Sequence, residues 1–208
     1  MPRIRLVAWT AVLTGTAVAL AAGITACAEQ PPPPVGSSAV PAGSSAAAPV
    51  PTTAAPAAPV APAGLRIDKL GVVARVDPVG VDEAGDFAVP PSVDVVGWYR
   101  FGPGLEATAG SIVIAGHVDS AKQGGGAFFR LRDLGPGDPV AVTGTDGTVR
   151  RFLVKAREVY PKTRIPLDRY FARDGPVRLT LITCGGPFDK ATGHYRDNVV
   201  ITAEPAAP

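Results

Sequence analysis

Between residues 65 and 204 the chain is a succession of short apolar runs, each stopped by Gly, Pro or Asp. No long stretch sustains a 3.6-residue periodicity, so strands must supply the core. Nine runs read as strands: Leu65–Ile67, Val72–Val76, Phe87–Val89, Val95–Tyr99, Ser111–Ala115, Pro139–Thr143, Thr148–Tyr160, Arg178–Thr183 and Asn198–Ala203. Asp146-Gly147, between two β-type runs, is a strong hairpin signal. "GGGAFFRLRDL" has room for one helical turn around Ala127–Leu131. Many short strands at even spacing predict an all-β barrel or sandwich. Roughly 140 residues are enough to bury a proper core.

Two other zones precede this one. Residues 1–27 carry Arg3 and Arg5 and then an uncharged, mostly apolar run from Leu6 to Ile24, the pattern of an export signal. The run is also just long enough to cross a bilayer of roughly 30 Å as a helix. Its end, Ile24-Thr25-Ala26-Cys27, is similar to the bacterial lipobox, which implies cleavage before Cys27 and lipid on its sulfur. An uncleaved signal anchor is the alternative. Both readings put the following domain at the extracytoplasmic face of the membrane, in the cell envelope. Residues 28–64 hold one charge, no aromatic residue and frequent proline. Such a segment cannot offset its ordering entropy with a core, and is expected to be a disordered linker. In an extended polyproline-like state it would reach up to on the order of 100 Å. The folded domain is then expected over 65–208. A net charge of +2 is too small for a nucleic-acid partner.

The closing stretch, "TLITCGGPFDKATGHYRDNVVITAE", holds Cys184, the only cysteine besides Cys27. Cys27, lipidated or at the far end of the linker, is a poor disulfide partner, so Cys184 is read as a lone thiol. A lone thiol in an exported protein is exposed to oxidation, which invites a functional reason. It stands where an alternating run stops and Gly185-Gly186 begin, so a substrate backbone could approach closely. A cysteine nucleophile needs a base or a cation beside it. The chain has two histidines, His117 in "IAGHVDS" and His194 in "TGHYRDN". Arg196 could donate to a developing oxyanion or hold a substrate carbonyl; the alternative is an ion pair with Asp189 or Asp197. No metal-ligand cluster appears, and "KQGGGAFF" lacks the Lys-Ser/Thr of a phosphate loop, so neither metal nor cofactor is expected.

The order His117, Cys184, Arg196, with "GHVDS", "TLITCGG" and "YRDNVVITA", resembles the sortases, bacterial cysteine transpeptidases. "VGWYRFGPG", "FFRLRDLGPGD" and "LITCGGPFDKATGHYRDNVV" resemble the actinobacterial class F members most. The resemblance covers most of 65–204. It implies an eight-stranded closed β-barrel with short helical turns. It also implies that Cys184 attacks an LPxTG-like sorting signal to form a thioacyl-enzyme, which a peptidoglycan amine resolves. His117 would be general acid and then base, favoured over His194, and Arg196 would stabilise the oxyanion. Thr183 is a candidate substrate contact or an ordinary strand residue. A mainly hydrolytic protease of the same fold and a non-catalytic cell-surface lipoprotein are the competing readings.

Overall fold

The computed structural model of the chain describes residues 59–83 and 85–207. The export segment, Cys27 and nearly all of the linker lie outside the described residues. Ten strands follow in chain order: β1 (Pro62–Ile67), β2 (Val72–Val79), β3 (Val95–Tyr99), β4 (Ser111–Ala115), β5 (Asp119–Ser120), β6 (Gly124–Gly125), β7 (Pro139–Gly144), β8 (Val149–Pro161), β9 (Arg178–Asp189) and β10 (His194–Pro205). Eight close a barrel in the order β1-β2-β3-β4-β9-β10-β8-β7, and β7 pairs back onto β1. β5 and β6 form a separate small ribbon. One α-helical turn, α1 (Leu167–Tyr170), stands among the described residues. The expected all-β, eight-stranded closed barrel is the fold that forms.

Two pairings are parallel, β2 with β3 and β4 with β9. The second explains the most apolar runs of the sequence. Ile112 and Ile114 of β4 and Leu179 and Leu181 of β9 point into the barrel core. Their alternates Val113, Ala115 and Ile182 point outward, into a second cluster with Val200 and Tyr170. The chain between β8 and β9 covers that outer face. A strand buried on both faces reads as a continuous apolar run rather than an alternating one. Inside this joint the hydroxyls of Ser111 and Thr180 bond each other at 2.8 Å, so neither is left unsatisfied.

The Asp146-Gly147 hairpin forms as expected between β7 and β8. Gly147 takes the positive φ of 82° that the turn requires, and Asp146 Oδ1 accepts from the Thr148 amide at 3.0 Å.

Three details depart from the sequence reading. Phe87–Val89 is not a strand: it makes only an isolated bridge, Val81 with Phe87. Its apolar side chains pack on the outer cluster without joining a ladder. The helical turn falls a few residues later than expected, as a 3-10 turn at Leu131–Asp133. Pro62–Gly64, assigned by composition to the linker, belong to β1. Their role is carried by backbone rather than side chains, since β1 pairs with both β2 and β7 and so removes two sheet edges. The chain is held one step earlier still, where the Val60 carbonyl accepts from the Leu105 amide at 2.8 Å.

Candidate active site

Strand register assembles the site. In the parallel β4–β9 pair Ala115 stands beside Ile182; two positions further along each chain come His117 and Cys184. On the other side of β9, Cys184 pairs directly with Asn198 of β10, and Arg196 lies two positions before Asn198. β9 thus carries Cys184 between a strand leading to His117 and a strand carrying Arg196. Diagonal neighbours in a sheet are about 7–8 Å apart at Cα, within reach of a long side chain.

Cys184 is a free, half-buried thiol. Burial pushes it above its ordinary pKa; the Lys162 ammonium pulls it down, and the Asp119 carboxylate adds to the rise. At neutral pH the resting group is therefore the thiol, and attack needs its proton removed.

His117 follows Gly116, where a Cβ would come within 2.8 Å of Val96 Cγ1 and 2.9 Å of Phe128 Cδ2. Only glycine lets the chain turn out of β4 against this packing. The ring Nε2 lies 2.9 Å from the Pro90 carbonyl. A carbonyl only accepts, so Nε2 carries the hydrogen and Nδ1 is the nitrogen left over.

Arg196 stands opposite an irregularity. Tyr195 pairs with Phe188 and Asp197 with Gly185, so residues 186 and 187 together face Arg196. Gly186 takes a φ of 71°, as the bulge demands. The Arg196 side chain is 66% exposed, and its Nη2 is 3.8 Å from Asp189 Oδ2. The ion-pair reading is thus the one realised here, as a loose pair. Exposed pairs are worth about 0–1 kcal/mol, which leaves the guanidinium free to reorient.

The other sequence candidates are placed differently. Thr183 is 3% exposed, and its hydroxyl donates to the Gly116 carbonyl at 2.8 Å. It faces the barrel interior and ties the His117 turn to β9, which is a positioning contact and not a surface for substrate. His194 pairs with Asp189 at the far end of the β9–β10 hairpin. That is roughly 13 Å along the strand from the Cys184–Asn198 pair.

The sequence reading missed four neighbours of the thiol. Asn198 is 1% exposed with Oδ1 unpartnered among the described residues. Tyr195 donates to Asp119 Oδ2 at 2.5 Å. Lys162 follows β8 directly. Only Asn198 had a legible signal, as a polar residue opening an apolar run. Beside them an apolar cavity of about 200 Å³ is lined by Ala115, Ile182, Asn198, Tyr99, Phe87 and Phe171, among others. Among the described residues no cluster of three His, Cys, Asp or Glu could hold a metal ion.

Residues 65–206 match the Sortase domain family. The chain belongs to the sortase family, a class of transpeptidases. Among solved structures it is similar to the lid mutant of sortase A from Corynebacterium diphtheriae, at 21% identity and a TM-score of 0.53, covering 71% of this chain and 70% of that one. It is likewise similar to sortase C-1 from Actinomyces oris, at 20% identity and a TM-score of 0.53, covering 70% of this chain and 71% of that one. These likenesses show the barrel. None of the curated proteins matches the chain.

Proposed function

We propose that this sortase is an extracytoplasmic cysteine transpeptidase that cleaves an LPxTG-like sorting signal and transfers the protein to a cell-wall amine. One observation carries the reading. Cys184 sits on the central strand, with His117 beyond one neighbouring strand and Arg196 on the other. The apolar cavity opens on the same outer face, through Ala115, Ile182 and Asn198. A Leu-Pro pair suits such a cavity. The Asn198 amide, buried and with Oδ1 unpartnered, suits the backbone of a bound peptide.

In the proposed reaction Cys184 Sγ attacks the Thr–Gly carbonyl. Arg196 leaves Asp189 and donates to the oxyanion. His117 Nδ1, having taken the thiol proton, gives it to the departing glycine amine, and a thioester is left at Cys184. The incoming amine then loses its proton to His117 as it resolves the thioester. Water in place of the amine gives hydrolysis. The motif wording supports class F within the family, and Ile24–Cys27 supports a lipid anchor at Cys27.

Intact mass after incubation with an LPxTG peptide tests the chemistry. A thioacyl adduct on Cys184 that is absent in C184A, and that an added amine converts to ligated product, is the expected result. Hydrolysed peptide alone at high amine concentration would favour the protease. No adduct and no cleavage would favour a non-catalytic surface protein. Mass spectrometry of the membrane-extracted chain tests the anchor, and an intact Met1 terminus would remove it.

A further inference from the structure

The Lys162 ammonium is buried and has no hydrogen-bond partner of normal geometry among the described residues. An uncompensated buried cation is costly, so its surroundings should hold a matching negative charge at some stage of the protein's work. Strand register shows which group that is. Cys184 pairs with Asn198, and Asn198 pairs with Tyr160 on β8. Lys162 comes two positions after Tyr160, on the 3-10 turn that ends β8. From that turn its side chain lies close enough to the Cys184 thiol for its charge to act there. In the next row Asp197 pairs with Gly185 on one side and Pro161 on the other. Lys162 and Arg196 therefore stand side by side just past the thiol. The same turn leads into Ile165 and Leu167, which line the apolar cavity, so Lys162 stands beside that cavity and behind its wall.

We propose that Lys162 is a further catalytic cation of this site, whose ammonium holds the negative charge on Cys184 Sγ before attack. The inference rests on Cys184 being the nucleophile of the proposed function. The thiol proton passes to His117 Nδ1, the nitrogen left over by the Pro90 contact, and the Lys162 charge holds the sulfur it leaves behind. Burial raises the thiol, and the Lys162 charge is the largest influence opposing that rise. Other charged or titratable groups surround the thiol from each adjoining element. His117 follows β4, Asp119 lies on β5, and Tyr195, Arg196 and Asp197 lie on β10. Asp119 opposes thiolate formation, and its bond to Tyr195 restrains that effect. Arg196, loosely paired and exposed, is committed to the later oxyanion. The division gives each cation a different stage: Lys162 for the sulfur, Arg196 for the oxygen.

The test is the pH dependence of iodoacetamide alkylation at Cys184 in the full-length protein, for wild type, K162M, K162Q and K162R. The expected result is a midpoint at least about one pH unit higher in K162M and K162Q, with alkylation at pH 7 roughly tenfold slower. K162R should stay near wild type. Circular dichroism shows which variants fold, and either neutral variant suffices. An unchanged midpoint in a folded neutral variant overturns the proposal. Alkylation needs no peptide, so this outcome is independent of the substrate. A shifted midpoint without peptide cleavage would sink the sorting-signal reading and leave Lys162 in place. Cleavage of the peptide with an unmoved midpoint would do the reverse.

Discussion

The Thr183 hydroxyl donates to the Gly116 carbonyl at 2.8 Å across 67 positions of sequence. This bond joins the residue before Cys184 to the residue before His117. It lies inside the barrel, where Thr183 is buried. The spacing between the proposed nucleophile and the proposed base is thus held from beneath by a contact that substrate cannot disturb.

Replacing Thr183 by valine keeps the shape and deletes the donor. The Gly116 carbonyl is left unpaired in a buried place, at a cost of about 1–3 kcal/mol. Urea denaturation should show a lower midpoint with an unchanged slope. Adduct formation should slow as well, because the His117 turn loosens. A variant with wild-type midpoint would mean that the bond contributes nothing.

Gly116→Ala tests the same turn from the other side. The new Cβ would sit 2.8 Å from Val96 Cγ1 and 2.9 Å from Phe128 Cδ2. Overpacking of this kind typically costs about 1–3 kcal/mol. A thermal melt should show a lower Tm, and rescue is expected from V96A, which removes the contacted methyl. Failure of V96A to recover any of the loss would count against the clash.

Arg196 separates stability from activity. Its pair with Asp189 is long and exposed, so D189N should change stability by no more than about 0.5 kcal/mol. R196A should leave the melt equally unchanged while slowing thioacyl formation by about 10²–10³, the usual loss on removing one oxyanion donor. Acylation of R196A at the wild-type rate would exclude this role.

Tyr195 supplies a pH signature. Its hydrogen bond to Asp119, aided by burial, pushes its pKa up to about 12. Folding therefore favours the protonated phenol. The stabilisation is full below the unfolded value of about 10 and disappears as pH rises through the folded value. The stability difference between wild type and Y195F should shrink between about pH 10 and pH 12. Tyr170, also raised by burial, is present in both proteins and cancels. A difference that stays constant over this window would contradict the assignment.

Much of this protein could be read from local pattern. Ser111–Ala115 and Arg178–Thr183 announced themselves as strands through their apolar β-branched runs, and Asp146-Gly147 through its turn chemistry. Cysteine counting isolated Cys184, and the motif wording led to the family that residues 65–206 match. What local pattern conveys is which residues suit a strand and which chemistry they carry.

Pairing was decided elsewhere. Pro62–Gly64 look like linker, yet they close the barrel because backbone groups of β2 and β7 await them. Phe87–Val89 look like a strand, yet they find a packing surface and no ladder. Thr183 and Cys184 are adjacent in sequence and face opposite sides of one strand, so one is structural and the other reaches the cavity side. Lys162 carries no motif at all. It reaches the thiol only because β8, β10 and β9 lie side by side in one register. Alternation is a local property of the chain, and the sequence by itself determines it. Which strands become neighbours is settled by burial and backbone pairing across the whole barrel, and only the tertiary structure shows it.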